Sequence, residues 1–228
     1  MKKKVNRLRV AIDGPAASGK NTLAKQIAKK YKLLHLDSGK LYRYFALQVY
    51  QSKDQKVNYT KLKQALKKLT LKKLKDKRLT TEPVTKIASV ISKKKRIRQM
   101  LKKVQHDLAY NPPKKFKGSI LDGRDIGTVI MPDAHVKVYL TASLNVRAIR
   151  RYKEYKKMGI KTTLGRVKSD IKKRDYEDTH RKISSLKPAK DAVLLDSSFY
   201  NTKAAFAKID EVIRNEIKLL NATKHKSL

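Results

Sequence analysis

The sequence contains no cysteine, and only 19 of its 228 residues are acidic, against 58 that are basic. The lack of cysteine excludes disulfide bonds, thiol nucleophiles and cysteine-ligated metal sites, and it favours a cytoplasmic protein. No apolar run approaches the roughly 20 residues of a membrane-spanning helix. The segment 1–6 contains three lysines, but the apolar run that follows it is too short for a signal peptide. A chain of 228 residues suits one α/β domain with an insertion, or one and a half ordinary domains, and its 40% hydrophobic residues can build a core.

The shortage of acidic residues gives a formal net charge of +39, which raises the question of a nucleic-acid surface. The basic residues are mostly lysine, lie along nearly the whole chain, and show neither zinc-finger spacing nor an aromatic-and-basic RNA-binding signature. A lysine-rich composition on solvated helix faces is the simpler explanation. We therefore expect no specific nucleic-acid partner and only weak, salt-sensitive binding of polyanions. Arginine is scarcer and recurs in the motifs below. Its planar guanidinium can pair with two oxygens of a phosphate or carboxylate at once.

One short segment has the pattern of a phosphate-binding loop. The apolar run 8–12 predicts a strand, and helical spacing begins after Thr22. Between them, Gly14-x-x-x-x-Gly19-Lys20 has the spacing of a P-loop, followed by Asn21 and Thr22. Backbone N–H groups and the helix N-terminus then face the phosphates, and Lys20 supplies a positive charge. An ordinary glycine turn is the alternative, but strand, helix and Gly-Lys together predict a nucleoside triphosphate site.

Further apolar segments predict strands at 33–36, 118–121, 136–140 and 192–195. Polar residues follow two of them, Ser38 after the first and Asp122 with Arg124 and Asp125 after the next. Ligands of open α/β sheets bind at the carboxyl ends of strands. Ser38 is predicted as either a ligand contact or a helix N-cap, and Asp122 as either a holder of the magnesium water shell or a turn residue. Arg43, in the helix after Ser38, is placed to turn back toward an anion.

Three pairs or clusters on the predicted helices are candidates for the same site. Ser89 and Arg98 fall on opposite faces of a continuous helix, so a shared ligand requires a break, predicted at 92–95. A surface or buried serine is the simpler explanation for Ser89.

Arg147, Arg150 and Arg151 share one face of a predicted helix. They could be ordinary surface residues, but like charges so close together favour a bound phosphate. Arg174, Asp178 and Arg181 form one helical stripe, for which a salt-bridge ladder is the alternative.

The segment 51–85 differs from the rest of the chain and predicts a small inserted lobe. It contains short strand-like runs at 69–71 and 77–80, and helical spacing of Leu62, Leu66 and Leu69. Pro83 lies near the start of the following helix, a position that tolerates proline. A last amphipathic helix is predicted at 204–220, followed by a polar tail.

Together these motifs resemble the bacterial cytidylate kinases, a family of nucleoside monophosphate kinases. The resemblance is carried by the residues 12–22, 37–39 with 41–43, 122–128, 174–181 and 191–197, which cover almost the whole chain in family order. It implies a three-layer P-loop kinase fold, α/β, with a five-stranded parallel sheet. It also implies one domain over 1–228, with a core at about 1–50, 86–155 and 185–228, an inserted NMP-binding lobe at about 51–85 and a lid at about 156–184.

The resemblance implies ATP-dependent phosphorylation of CMP and dCMP with Mg²⁺. We expect a monomer with no membrane partner. The ATP phosphates would contact Gly14, Pro15, Ala16, Ala17, Ser18, Gly19, Lys20, Asn21 and Thr22. The CMP site would comprise Ser38, Arg43, Ser89, Arg98, Arg124, Asp125, Arg174, Asp178 and Arg181. The groups acting on the transferring phosphoryl would be Lys20, Arg124, Arg150, Arg151 and Arg174. Magnesium would be held by Thr22 and Asp122, through water.

One residue departs from the family pattern, and two alternatives to the implied activity stay open. Asn21 stands where family members commonly have glycine or serine, although Thr22 keeps the next position. The chain could instead be a P-loop kinase for another small acceptor such as UMP, AMP or shikimate. A nucleic-acid-binding protein that uses ATP as a switch is the alternative of a different class.

Overall fold

The computed structural model describes residues 7–225 and shows the predicted α/β fold with a five-stranded sheet. The basic N-terminus and the end of the predicted polar tail lie outside the described residues. The strands are β1 (Leu8–Asp13), β2 (Leu34–Asp37), β3 (Gly118–Gly123), β4 (Val136–Thr141) and β5 (Val193–Asp196). The helices are α1 (Lys20–Tyr31), α2 (Ser38–Tyr50), α3 (Tyr59–Lys67), α4 (Glu82–Ile91), α5 (Lys95–Tyr110), α6 (Leu144–Lys157), α7 (Leu164–His180) and α8 (Thr202–His225).

The strand order β2-β3-β1-β4-β5 places β1 at the centre of the sheet. β1 runs parallel to both of its neighbours, with Val10 opposite Ile120 on β3 and Val136 on β4, and β4 runs parallel to β5. The loops that follow β1, β3, β4 and β5 therefore leave the sheet at one edge. This is the edge at which the P-loop and the Asp122–Asp125 segment were predicted to meet.

The core lies against both faces of the central strands. On one face, Val10 and Ile12 of β1 pack with Ile27 of α1 and Ile209 of α8. Ala11 of β1, which points to the opposite face, is also buried. Because side chains alternate along a strand, both faces of β1 are covered, as expected for a parallel sheet between layers of helices.

The chain divides into two compact units. The first comprises Met1–Leu36 and Leu108–Leu228 and contains the sheet; the second is Asp37–Asp107. The second unit thus includes the predicted insertion 51–85 together with α2, α4 and most of α5.

The strands predicted at 69–71 and 77–80 are wrong. This segment instead forms two short 3₁₀ turns, Lys73–Lys75 and Lys77–Thr80, each of which buries one leucine, Leu74 and Leu79. Residues 69–71 form no helix or strand, and in 77–80 only Leu79 is buried, so neither run has the alternation of a half-buried strand. The Asp76 side chain accepts a hydrogen bond from the Arg78 N–H and caps the second turn.

The predicted break before Arg98 is confirmed, because α4 ends at Ile91 and α5 begins at Lys95. Pro83 lies in the first turn of α4, as predicted. The last helix, α8, is longer than the predicted 204–220. Within residues 7–225, no helix is both long and apolar enough to cross a membrane.

Candidate active site

The P-loop connects β1 to α1 through backbone conformations that two glycines permit. Gly14 has φ 149°, and a Cβ at this position would lie 1.9 Å from the Leu140 carbonyl oxygen, so no other residue fits. Gly19 has φ 94° and immediately precedes α1. Left-handed and related conformations cost little only for glycine. Pro15, Ala16, Ala17 and Ser18 lie between the two glycines, so the loop curls over the N-terminus of α1 as the motif predicts.

Lys20 is buried inside this loop. Its Nζ donates hydrogen bonds to the Pro15 carbonyl at 2.6 Å and to the Ser18 Oγ at 3.1 Å. Burial lowers the pKa of Lys20 well below its usual value, and the nearby positive charge of Arg124 lowers it further. A phosphate in the loop would reverse this effect, because an adjacent negative charge favours the protonated amine. The loop is therefore built to hold an anion beside Lys20.

Asp13, the last residue of β1, anchors the segment that follows β3. Its Oδ1 and Oδ2 accept hydrogen bonds from the N–H groups of Ile126 and Gly127 at 2.8 Å and 2.7 Å. These residues begin one turn of π-helix, Ile126–Ile130, a conformation often found at functional sites. Burial raises the pKa of Asp13 to about 6, although the two hydrogen bonds oppose the shift. Asp13 thereby fixes the buried Asp125, which lies just before the turn.

Asp122 lies inside β3 and is not a turn residue. Its Oδ1 is 2.6 Å from the His35 Nε2, and its carboxylate is buried. Among the described residues, no group of three or more histidine, aspartate or glutamate side chains could hold a metal. Thr22 lies on the exposed part of the first turn of α1. This sparse donor set fits Mg²⁺, which keeps several waters and takes most other ligands from nucleotide phosphates.

Arg124, Asp178 and Arg181 form one charged cluster. The Arg124 Nε donates to the Asp178 Oδ2 at 2.7 Å, and the Arg181 Nη1 lies 3.4 Å from the Asp178 Oδ1. Burial alone would raise the pKa of Asp178, but the charges of Arg124 and Arg174 hold it below its usual value. The predicted stripe is wrong in one respect, since α7 ends at His180 and Arg181 has an extended conformation. Two guanidiniums share a single carboxylate here, so the cluster carries excess positive charge.

The arginines of α6 lie near the P-loop, and Arg147 among them has a structural role. Arg147 is buried and donates to Asp175 at 2.6 Å and to the Ala16 carbonyl at 3.2 Å. The expectation that its charge requires a bound phosphate is therefore wrong, because Asp175 already neutralises it. Arg150 donates to the Ser197 carbonyl at 2.7 Å.

A small cavity of about 50 Å³ brings two further predicted residues together beside the P-loop. Its lining includes Arg151 of α6 and Arg174 of α7 with Ala16. Arg151 also pairs with Glu154 at 2.8 Å. The packing of Ala148 against Val167 and Ile171 holds α6 on α7, so these arginines have a defined position near the loop.

In the second unit, the structure places four predicted residues on helices. Ser38 is the first residue of α2 and Asp37 precedes it, so Ser38 is not the N-cap. The Arg43 guanidinium lies near Gly39, toward the start of α2. A Cβ built at Gly39 would be 3.3 Å from the Arg43 Nη2. Ser89 and Arg98 are linked through the break: the Ser92 Oγ donates to the Ser89 carbonyl at 2.9 Å, and the Arg98 Nη1 donates to the Ser92 carbonyl at 3.1 Å. Arg98 also lies over the Tyr42 ring.

Three residues that position the site were missed by the sequence analysis. Asp13 was treated as part of the loop, and Asp175 and Ser197 were given no role. Asp13 ends a buried strand, where a charged residue is unusual, and this signal could have identified it. The partners of Asp175 and Ser197, which lie on other elements, could not be inferred from sequence spacing.

The cytidylate kinase family matches residues 10–217. The cytidylate kinase of Rhodospirillum rubrum is 37% identical over 207 residues, which cover 91% of this chain and 97% of that protein. The cytidylate kinase of Bartonella quintana is 42% identical over 215 residues, which cover 91% of this chain and 97% of that protein. This chain belongs to the cytidylate kinase family. Every motif from the P-loop to β5 lies inside the matched range.

A likeness to a solved structure supports the fold alone. The crystal structure of an uncharacterized protein from Eubacterium ventriosum superposes with a TM-score of 0.50 at 11% identity, and the match covers 93% of this chain and 99% of that one. At this level of identity the match agrees with the observed α/β architecture and says nothing of activity.

Proposed function

We propose that this chain transfers the γ-phosphoryl group of ATP to CMP and dCMP, giving ADP with CDP or dCDP. The observation that carries the proposal is the pairing of a P-loop, closed on the buried Lys20, with the cluster of Arg124, Asp178 and Arg181 at the same edge of the sheet. The shared name of the relatives, cytidylate kinase, favours cytidine monophosphate over UMP or AMP as the acceptor.

The donor and the acceptor have separate anchors in this proposal. The backbone of the P-loop and Lys20 hold the ATP phosphates, and Asn21 and Thr22 lie at the start of α1 beneath them. Arg124 and Arg181 bind the acceptor phosphate, with Arg43 and Arg174, and Asp178 binds a sugar hydroxyl. Arg124 lies close enough to Lys20 to lower its pKa, which supports the placing of donor and acceptor phosphates side by side.

Recognition of cytosine is assigned to Ser38, Ser89, Arg98 and Asp125. A guanidinium donates to the carbonyl and ring-nitrogen acceptors of cytosine, and a carboxylate accepts from its amino group. Both charged groups are buried, so a base without the matching edge would place mismatched polar groups against two buried charges. Such a mismatch discriminates strongly between substrates.

Phosphoryl transfer depends on positioning and charge neutralisation more than on proton transfer. When bound, Mg²⁺ supplies positive charge to the β- and γ-phosphates. Thr22 and Asp122 would hold its water shell, and His35, 2.6 Å from the Asp122 Oδ1, would fix the orientation of that carboxylate. Arg150, Arg151 and Arg174 neutralise the transferring group, and the segment 156–184 acts as the lid that excludes water.

The proposal extends to a monomer acting in the cytoplasm.

A coupled assay of ADP release with CMP, dCMP, UMP and AMP as separate acceptors tests the proposed activity, with Lys20→Ala as the inactive control. We expect the highest kcat/KM for CMP or dCMP. Faster turnover with UMP or AMP would contradict the proposal.

A further inference from the structure

Phe199 is the most exposed large apolar side chain among the described residues, with 95% of its surface accessible to solvent. It lies in the short loop between β5 and α8. Single exposed apolar residues are common on protein surfaces. The position of Phe199 is unusual because its loop is bonded to the P-loop.

Hydrogen bonds at two consecutive residues fix this loop. The Ser197 Oγ donates to the Ser18 carbonyl of the P-loop at 3.4 Å. The Ser198 Oγ accepts from the Ser143 N–H at 2.7 Å. Phe199 follows directly and is two residues, or at most about 7 Å of backbone, from the bond to the P-loop. The backbone of Phe199 is thus held close to the P-loop, the proposed site of the donor phosphates.

The sheet order decides on which side of the P-loop the donor nucleoside lies. The acceptor residue Arg124 follows β3, on one side of the central β1, whereas β4 and β5 lie on the other side. In-line transfer places the acceptor oxygen and the leaving ADP on opposite sides of the transferring phosphoryl. The rest of the donor therefore extends away from β3 and toward the loop after β5, where Phe199 lies.

We propose that Phe199 is the stacking platform for the purine base of the phosphoryl donor. The inference rests on the proposed function in two respects: a nucleoside triphosphate occupies the P-loop, and Arg124 lies on the acceptor side of it. An aromatic ring stacks on the face of any base, so the contact favours a purine nucleoside triphosphate as a class. Arg150, which donates to the Ser197 carbonyl at 2.7 Å, joins α6 to this loop and stabilises its position.

Replacing the ring tests the contact directly. Phe199→Ala should weaken ATP binding and raise the KM for ATP about tenfold, which corresponds to the typical loss of one base–aromatic stack. The KM for CMP should stay the same. Affinity for inorganic tripolyphosphate, which lacks a base, should also stay the same when measured by calorimetry. Because the side chain is exposed, the variant should fold normally.

A second variant gives a spectroscopic reading of the same contact. The chain has no tryptophan, so Phe199→Trp introduces a single indole at this position. ATP should change its fluorescence and bind with wild-type affinity, while tripolyphosphate and CMP should leave the emission unchanged. Leu194→Ala, which removes another exposed apolar side chain on β5, is the matched control and should not alter ATP affinity.

The inference is overturned if Phe199→Ala binds ATP as the wild type does, or if ATP and tripolyphosphate lose affinity equally. An effect of Leu194→Ala as large as that of Phe199→Ala would also overturn it, since the whole apolar surface would then be responsible. Failure of the wild type to phosphorylate CMP would instead contradict the proposed function. The comparison of ATP with tripolyphosphate would still test Phe199 in that case.

Discussion

At the residue scale, Arg181 illustrates how a charged group can be held for a ligand. It approaches Asp178 from outside α7, and its Nε donates to the Ser184 carbonyl at 2.5 Å. Asp178 is shared with Arg124, so the cluster holds two positive charges against one negative charge. An acceptor phosphate would supply the balancing charge through charge-assisted hydrogen bonds.

Arg181→Ala should reduce kcat/KM for CMP. The expected loss of transition-state stabilisation is about 2–5 kcal/mol, the usual cost of truncating one partner of a desolvated charge pair. The measurement is steady-state kinetics with CMP varied at saturating ATP. Arg214→Ala is the control, because Arg214 also pairs with an aspartate of its own helix but lies exposed on α8. Wild-type KM and turnover in Arg181→Ala would refute the assigned role.

Asp13 provides a prediction of pH dependence. Its pKa of about 6 in the folded protein lies above the ordinary aspartate pKa of 3.8, so the folded state binds the proton more tightly than the unfolded state. Its contribution to stability is therefore fully present below pH about 4 and is lost as the pH rises through about 6. Over that window the change amounts to about 3 kcal/mol.

A ¹³C NMR titration of the Asp13 carboxyl without nucleotide should give a midpoint near 6. In parallel, Asp13→Asn should lack this contribution when unfolding free energies by urea are compared from pH 4 to pH 7. A midpoint near the ordinary aspartate value would show that burial does not control this carboxyl.

At the element scale, the β strands and most helices were predictable from the sequence because hydrophobic periodicity and glycines specify them locally. The five strands contain apolar runs, four of the strands end in Gly or Asp, and Pro83 marks the start of α4. The predictions of strands at 69–71 and 77–80 were wrong, since short leucine–lysine runs fit several local structures; 77–80 is a 3₁₀ turn. The P-loop and the residues of the Arg124–Asp178–Arg181 cluster could be named from the sequence, but the hydrogen-bond and ion-pair partners of the site residues could not. Arg147 looked like a phosphate ligand until the structure showed Asp175 against it.

The Arg147–Asp175 pair joins α6 to α7, and its removal should loosen that packing. Only 8% of the Arg147 side chain is exposed, so Asp175→Asn would leave a buried charge without its counter-ion. We expect a loss of about 3 kcal/mol in the free energy of unfolding.

The matched control is Glu154→Gln, which removes the more exposed partner of Arg151 and should cost less than about 1 kcal/mol. Urea unfolding followed by circular dichroism measures both variants. Equal small losses would indicate that the Arg147–Asp175 pair does not hold the two helices together.

At the scale of the whole molecule, the net charge of +39 predicts association with polyanions without sequence preference. Binding to random-sequence DNA should weaken by about 10³-fold between 50 and 200 mM salt, because it depends on counter-ion release. Fluorescence anisotropy across a salt series measures this. Binding that is selective for one sequence and survives the higher salt would support the nucleic-acid alternative.

The central claim is that the two ligand sites together select cytidine monophosphate. Its most direct test is a competition in which CMP, UMP and isotope-labelled AMP are present at equal concentrations with limiting unlabelled ATP, and CDP, UDP and labelled ADP are quantified by chromatography. The ratios of product then equal the ratios of kcat/KM, so differences in assay conditions cancel. We predict that CDP accumulates in large excess over UDP and ADP formed from AMP. A mixture dominated by UDP, or by ADP derived from AMP, would contradict the account.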